Sequence, residues 1–361
     1  MLTPSERINI IKELISLKQR TRENGIHPIH KKSDSSNITV LTYDEHAFKV
    51  KHVEKLEEYS QLKDTTNVTW INVEGANKSE ILKSLGDYFN FHPLVIQDIT
   101  NTDQRPKIEN FGDYIFFICK MMTYDDKKNE IITEQVSIII GTNYLISFQE
   151  GKENTIFNTV REGITSGKGR IKNMRPDYLA YALLDAIVEN YFLLLDNIRE
   201  QLECLEDAMV TDPKPEMLQS LHNLKRNIIF LHKSVWPLKE VIKGFEKVES
   251  LLIREATTIY LRGVYDNTIQ ILDTIGIFKD MLTSMLEVYV SSVSNKLNEI
   301  MKILTVITTI FMPLNLVTGF YGQNLKYLPF AEFDWGFFGI IFLMLIIAIS
   351  MILYFKKKKW L

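Results

Sequence analysis

Residues 335–355 read WGFFGIIFLMLIIAISMILYF, a run of 21 residues without one charged side chain. As a helix rising 1.5 Å per residue, this run is about 30 Å long, the thickness of the hydrocarbon core of a bilayer. Helices buried in soluble proteins are rarely apolar on every face over such a length. The run therefore predicts a transmembrane helix. Four lysines follow it directly, Lys356, Lys357, Lys358 and Lys359, and by the positive-inside rule they predict a cytoplasmic C-terminus.

A second uncharged segment, ILTVITTIFMPLNLVTGFY, occupies residues 303–321. Only residues 322–334 separate the two segments, so we expect a helical hairpin whose two ends lie on the same side of the membrane. The 302 residues before it are then cytoplasmic, like the lysines. The first twenty residues hold no apolar run of signal-peptide length. The sequence thus predicts a multi-pass protein of the cell membrane with both termini in the cytoplasm.

Composition excludes several functional classes. The chain has 361 residues and a net charge of −3, which gives no overall basic field for nucleic-acid binding. Its two cysteines, Cys119 and Cys204, cannot supply a disulfide framework or a cysteine-based metal site. The motifs GxxxxGK[ST], HExxH and GxSxG do not occur, and the histidines are scattered. An enzyme is therefore not expected.

The chain before the two spans changes character near residue 170. Runs rich in β-branched and aromatic residues predict strands at 38–43, 67–73, 114–124, 134–140 and 144–148, with helices at 79–89 and 92–99. Long helical stretches follow at 176–209, 216–245 and 250–320. The expected organisation is a cytoplasmic α/β domain (1–170), a helical stalk (171–302), a first transmembrane helix (303–321), an external loop (322–334), a second transmembrane helix (335–355) and a basic cytoplasmic tail (356–361).

The third long helix is predicted to enter the membrane without a break. If it is continuous it measures about 105 Å. Its apolar residues recur every three or four positions and form a seam, which is typical of a helix packed against others. The seam comprises Ile271, Ile275, Phe278, Leu282, Met285, Tyr289, Val293, Leu297, Ile300 and Leu304. Identical copies or the two shorter helices are both possible neighbours.

The less apolar residues of the first span also follow the helical period and therefore share one face. This polar stripe comprises Asn298, Met301, Thr305, Thr308, Met312, Asn315 and Gly319. A polar face in lipid must meet other helices or water, so both helix packing and a pore lining explain it. Two spans cannot enclose a pore, so a pore requires several copies. The stripe has no carboxylate, which suits a cation that passes with its hydration water. Apolar rings at Met301, Leu304 and Met312 could close such a pore by dewetting.

Several segments together resemble the CorA family of magnesium and cobalt transporters, and the likeness covers essentially the whole chain. The family's aromatic-Gly-Met-Asn signature follows its first span, where this chain has Tyr321, Gly322, Gln323 and Asn324. The other matching segments are HPLVIQDI and QRPK within 92–107, SSVSNKLNE at 291–299, IFMPLN at 310–315 and the closing YFKKKKWL.

The resemblance implies a homopentameric funnel: cytoplasmic α/β domains, long stalk helices and a central pore made of the first spans. It assigns Asn324 to the outer selectivity ring and the four C-terminal lysines to a basic collar around the inner mouth. To the pore wall or gate it assigns Asn298, Met301, Leu304, Thr305, Met312 and Gly319.

Two departures from the family pattern bear on function. Gln323 replaces the signature methionine and adds an amide at the mouth. The family also closes when intracellular Mg²⁺ binds between cytoplasmic domains, and Asp98 matches one carboxylate of that sensor. The usual partner position holds Gly263, so a regulatory Mg²⁺ site would have to be rebuilt around Asp266. A solvated surface acid is the other interpretation of Asp98.

Three functions follow from these observations. The leading hypothesis is a channel-like transporter of divalent cations, Mg²⁺ and also Co²⁺ or Ni²⁺, driven by the electrochemical gradient and gated by intracellular Mg²⁺. A second is a diverged transporter with altered selectivity or gating, for Zn²⁺ or a monovalent ion. A third is a non-conducting membrane sensor or scaffold. The partners expected are divalent metal ions, membrane lipid and identical copies, without nucleic acid.

Overall fold

The computed structural model describes residues 37–53, 67–75, 79–125, 130–151, 155–166, 170–247, 250–323 and 335–360. The chain divides into two compact units. The first comprises Met1–Cys204 and Gln219–Leu282, and the second comprises Leu205–Leu218 and Thr283–Leu361.

A seven-stranded mixed sheet organises the described part of the first unit. Its strands are β1 (Asn37–Tyr43), β2 (Phe48–Val53), β3 (Val68–Glu74), β4 (Lys107–Asn110), β5 (Ile115–Asp125), β6 (Glu130–Ile140) and β7 (Tyr144–Gln149). They lie in the order β2-β1-β3-β7-β6-β5-β4. The β3–β7 pair is parallel and the other neighbours are antiparallel. All five predicted strands are present.

Two strands were missed because they lack the pattern of a buried strand. Both β2 and β4 lie at the edges of the sheet. In β2, FKVKHV, the apolar Phe48 and Val50 are exposed and lysines alternate with them. Charged residues at an edge discourage pairing with a further strand. These segments therefore carry little of the hydrophobic signal from which strands are predicted.

Helices cover both faces of the sheet. On one face Ile71, Phe116 and Ile146 pack in a single core cluster with α1 (Ser79–Phe89) and α2 (Pro93–Thr100). On the other face α3 (Asn158–Thr165) follows Phe157, whose ring meets that of Trp70 edge-on at 6.2 Å. Burial of these aliphatic and aromatic side chains stabilises the unit.

Four long helices complete the chain: α4 (Pro176–Thr211), α5 (Pro215–Lys247), α6 (Glu255–Tyr321) and α7 (Gly336–Lys357). The Tyr191 hydroxyl of α4 donates to the carbonyl of Lys120, and Phe245 of α5 meets Phe117 at 5.1 Å. Both contacts hold helices against β5. The third helix, α6, is one unbroken helix of 67 residues and remains helical through Pro313.

Three helices of the described residues are long and apolar enough to cross a membrane: α4, α6 and α7. In α4, 56% of the most apolar window is buried inside the structure, against 6% in α6 and in α7. The apolar residues of α4 include the fully buried Leu183, Ile187 and Tyr191. Since α4 uses them in the protein core, α6 and α7 are the two helices left with apolar surface for lipid.

We expect Gly244→Ala to destabilise the protein. A Cβ on Gly244 in α5 would lie 2.4 Å from Cγ2 of Ile108 in β4, and the β-branched Ile108 has little freedom to move away. The predicted loss is about 1–3 kcal/mol. The check is the melting temperature of the full chain in detergent, followed by circular dichroism.

The matched control is Gly163→Ala in α3, where a Cβ has no neighbour within 4 Å. Because alanine is the better helix former, this variant should melt at or above the wild-type temperature. Equal melting temperatures for the two variants would contradict the close contact between α5 and β4.

Candidate functional site

The apolar seam of α6 divides into two parts. Its upper residues, from Ile271 to Tyr289, are buried within the chain. Its lower residues Leu297, Ile300 and Leu304 remain 54–58% exposed. The apolar surface of the upper seam is therefore already covered by the chain itself. Before the first span, Leu297 and Ile300 of the seam and the neighbouring Leu286 and Val290 offer apolar surface that this chain leaves exposed.

The polar stripe lies on a face of α6 that its own chain leaves open. All seven stripe residues are exposed, with Met301 and Met312 at 56% and 65%. The covered face includes the buried Val306 and the half-buried Ile310 and Val317. At about 100° per residue, these three lie roughly 100–140° round the helix from Thr305. Most stripe residues lie on the other side of Thr305. The chain's own packing thus does not use the stripe.

The stripe presents hydrogen-bonding groups without a formal charge. The Thr305 hydroxyl donates to the carbonyl of Met301 at 2.7 Å, so its outward side offers oxygen lone pairs. Asn298 and Asn315 add amides, which both donate and accept. Such a surface can hold water, including the water shell of a cation. The exposed Leu304 and the two methionines would instead form apolar constrictions if copies met there.

The outer end of α6 carries part of the predicted mouth. The helix ends at Tyr321, and Gly322 donates its N–H to the Thr318 carbonyl at 2.9 Å. A Cβ on Gly322 would lie 3.2 Å from that oxygen, which makes glycine the residue best suited to this close approach. Gln323 is exposed. Asn324 lies outside the described residues, so its role in selectivity stays a prediction.

The basic tail has a defined backbone conformation. Lys359 adopts a left-handed conformation (φ 57°) after α7. Its N–H bonds the carbonyl of Lys356, and the N–H of Trp360 bonds that of Phe355, both at 3.1 Å. The rings of Phe355 and Trp360 stack at 5.7 Å. This is a Schellman termination with its usual apolar contact. Lys356 and Lys357 lie in the last turn of α7, where positive charge complements the helix dipole, and Lys358 and Lys359 follow directly.

Asp98 lies on α2, whose start is fixed by His92. The His92 ring accepts the N–H of Leu94, and Pro93 follows as the first helical residue, so His92 has a structural role. The Asp98 carboxylate is not free. Lys107 donates to it at 2.6 Å and to Glu109 at 2.8 Å. Burial lowers the pKa of Lys107, but the hydrogen bonds and charges of the two acids outweigh burial and raise that pKa overall.

The backbone around Asp98 is anchored by residues that the sequence analysis did not single out. Gln135 donates to the Asp98 carbonyl at 3.0 Å and accepts the N–H of Gln104 at 3.2 Å. Lys120 donates to the Thr102 carbonyl at 2.6 Å. Glu150 accepts the N–H of Gln135, and burial raises the pKa of the Glu150 carboxyl to about 7. No local pattern distinguishes Gln135, which lies between Glu134 and Val136 in β6.

The proposed sensor residues do not form a metal site within one chain. Asp266 is exposed on α6, one turn from Gly263, and a Cβ on Gly263 would meet nothing within 4 Å. Among the described residues, no group of three or more His, Cys, Asp or Glu side chains could hold a metal ion. A site built from Asp98 and Asp266 would therefore need a second copy of the chain or further ligands.

Comparison with known proteins gives consistent matches over most of the chain. A family profile described as CorA-like Mg²⁺ transporter protein matches residues 66–357. The cobalt/magnesium transport protein CorA of Thermotoga maritima is 43% identical over 324 residues, 90% of this chain and 92% of that protein. A putative metal ion transporter of Bacillus subtilis is 26% identical over 90% of this chain and 98% of its own length.

A solved structure matches in fold. The complete structure of the CorA magnesium transporter from Methanocaldococcus jannaschii aligns with a TM-score of 0.73 at 23% identity. The alignment covers 90% of this chain and 98% of that chain. The predicted architecture, an α/β domain followed by long helices and two C-terminal apolar helices, is confirmed.

We expect Lys107→Met to increase the stabilisation of the protein by Mg²⁺. The variant removes the cation that neutralises Asp98 and Glu109, and two uncompensated carboxylates attract a divalent cation more strongly. The measurement is the rise in melting temperature when Mg²⁺ is raised from zero to about 10 mM. This range is chosen because weak carboxylate sites bind divalent cations at concentrations on the order of millimolar. We predict a larger rise in the variant than in the wild type.

Lys225→Met is the matched control, because it removes one positive charge at an exposed position of the same unit. Its response to Mg²⁺ should equal that of the wild type. If both variants respond alike, Lys107 does not prevent cations from binding to the Asp98 carboxylate.

Proposed function

The chain belongs to the family of CorA-like Mg²⁺ transporter proteins, and we propose that several copies of it form a channel for hydrated divalent cations, chiefly Mg²⁺. It transports divalent cations across a membrane and is not an enzyme. One observation carries the proposed mechanism: the uncharged polar stripe of α6 is exposed over its whole length, while Val306, Ile310 and Val317 on the opposite side are buried or half-buried.

A pore would supply water as a hydrogen-bonding partner for the polar groups of the stripe. Two spans per chain cannot surround a water-filled path, so the stripes of several copies must face a common axis. The exposed Leu286, Val290 and Leu297 continue down α6 towards this face and supply apolar contact between copies. Five copies is the number that the family resemblance implies, and we adopt it for the proposed assembly.

The stripe's chemistry supports passage of a cation with its water. Mg²⁺ gives up its water reluctantly, and no carboxylate of the stripe is present to replace it. Hydroxyl and amide groups bind the water shell instead. An inside-negative potential of about 100 mV supplies about 4.6 kcal/mol for a double charge, so transport inward needs no ATP. In this proposal Asn324 forms the outer selectivity ring with Tyr321, Gly322 and Gln323.

The proposed orientation places both chain ends in the cytoplasm of the cell membrane. The four lysines at the end of α7 favour the cytoplasmic side. They would surround the inner mouth as a basic collar. The α/β unit, which precedes α6 in the chain, would lie on the same side.

Regulation by intracellular Mg²⁺ is proposed at Asp98, with Asp266 of a neighbouring copy as the second carboxylate. The ion pair with Lys107 means that a metal ion must displace an ammonium group from Asp98. This contact, together with Gly263 at the usual partner position, supports a second candidate function: a divalent-cation channel with weak or absent Mg²⁺ gating.

We predict that the double variant Thr305→Val and Thr308→Val lowers Mg²⁺ influx about tenfold. Each change replaces a hydroxyl with a methyl of similar size and removes hydrogen bonds to the ion's water, each about 0.5–1.5 kcal/mol. Influx is measured with a Mg²⁺-sensitive dye inside proteoliposomes. A wild-type protein that carries no divalent cation would refute the proposed function itself.

Thr318→Val is the matched control. Its hydroxyl also donates to the carbonyl four residues earlier, and its side chain is also exposed. It lies about 140° round α6 from Thr305. Influx through this variant should stay near the wild-type rate. Equal loss in both variants would argue against the stripe as the pore lining.

Gln323→Met is expected to change ion preference rather than block transport. It removes the amide at the mouth and restores the signature residue of the family. The measurement is the ratio of Co²⁺ to Mg²⁺ influx in the same liposomes. An unchanged ratio would show that Gln323 has no part in selectivity.

A further inference from the structure

An ion pair joins the turn between α4 and α5 to the pore helix. Asp212 lies in the turn Thr211-Asp212-Pro213-Lys214-Pro215, and its carboxylate accepts a hydrogen bond from Lys296 of α6 at 2.8 Å. The two residues are 84 positions apart in the chain, and both belong to the second unit. Lys214 lies further from the same carboxylate, at 3.6 Å.

The turn holds Asp212 on a rigid support. Its N–H bonds the carbonyl of Ala208 at the end of α4, and Pro213 and Pro215 fix the backbone on the way into α5. The hydrogen bond and the charge of Lys296 lower the pKa of Asp212, while Asp212 raises that of Lys296. Both groups are therefore charged at neutral pH.

Lys296 lies on the side of α6 away from the polar stripe. It is two residues before Asn298, five before Met301 and nine before Thr305. At about 100° per residue, these steps place it roughly 140–180° round the helix from each of them. It also lies six residues before Lys302, which precedes the first span. The pair therefore acts on the back of the pore helix, just before the membrane.

The ion pair between Asp212 and Lys296 lies beside a cavity and not in a packed interface. A cavity of about 770 Å³ separates the turn from α6, and Asp212 and Lys296 both line it. Its other walls include Val210 and Trp360, and the stripe residues Asn298, Met301 and Thr305 also line it. Both members of the pair are more than half exposed. Because both charged side chains are largely exposed beside this cavity, the ion pair can form and break without repacking a core.

We propose that Asp212 and Lys296 are a positioning pair that holds the cytoplasmic end of the pore helix away from the pore axis. The inference rests on the proposed function, since the axis is defined by the stripe. A pair on the back of α6 resists movement of the helix towards the axis. When it breaks, the end of α6 that carries Asn298 and Met301 moves inward and narrows the path. The copies in the assembly each contribute one pair.

The test uses the full chain in proteoliposomes and follows Mg²⁺ influx with an internal dye. The variants are Asp212→Lys, Lys296→Asp and the double exchange. Each single variant places like charges together, and its influx should fall by about fivefold, near the lower end of couplings between linked sites. The double exchange restores an opposite-charge pair and should recover influx to within about twofold of wild type.

Recovery of influx in the double exchange is the decisive measurement. It is expected if Asp212 and Lys296 act as a pair, and it is not expected if each charge affects influx independently. The matched control is Lys214→Ala, which removes a lysine from the same turn and should leave influx unchanged. Asp212→Asn and Lys296→Gln, which are milder, serve if a charge reversal lowers the melting temperature. They should reduce influx in the same direction.

Three results overturn the inference: wild-type influx in both single variants, failure of the double exchange to recover influx, or equal loss in Lys214→Ala. Absence of influx through the wild type is a separate outcome, because it refutes the proposed channel and not the pair alone. Raising the ionic strength screens exposed charges and should bring wild-type influx closer to that of the single variants.

Discussion

A polar helix face cannot remain against lipid tails, and this constraint governs the membrane part of the protein. The chain covers the face of α6 that contains Val306 and leaves the stripe open. Hydroxyl and amide groups in hydrocarbon need partners, which are either water or other protein. A single copy supplies neither along the stripe. In the proposed channel, further copies of the chain would supply those partners along the stripe.

The long helix shows how one continuous element serves two environments. The seam residues from Ile271 to Leu282 belong to the core of the first unit, whereas Leu297, Ile300 and Leu304 are exposed. The helix α4 is the opposite case. Its composition would allow it to cross a membrane, but its apolar residues are buried against protein. Hydropathy measures how much apolar surface a helix has, whereas burial shows whether protein covers that surface.

Features with a short sequence period could be predicted. Runs rich in β-branched and aromatic residues predicted β3, β5 and β7, and the 3.6-residue period predicted the stripe and the long helix. Contacts between distant residues could not. Lys107 neutralises Asp98 across nine positions, and Gln135 anchors Asp98 across thirty-seven. Asp98 was expected to be free for metal or solvent. Nothing local in the sequence distinguishes a free carboxylate from one that a folded sheet has paired.

The termination of α7 shows a balance between backbone energy and electrostatics. A residue in the left-handed region other than glycine is strained by about 1–2 kcal/mol. Glycine at position 359 would relieve that strain, but the chain has lysine there and turns sharply enough to stack Trp360 on Phe355. As a result four cations are concentrated in about one turn at the membrane surface. A negatively charged group near this end of α7 would thus meet four positive charges on successive residues.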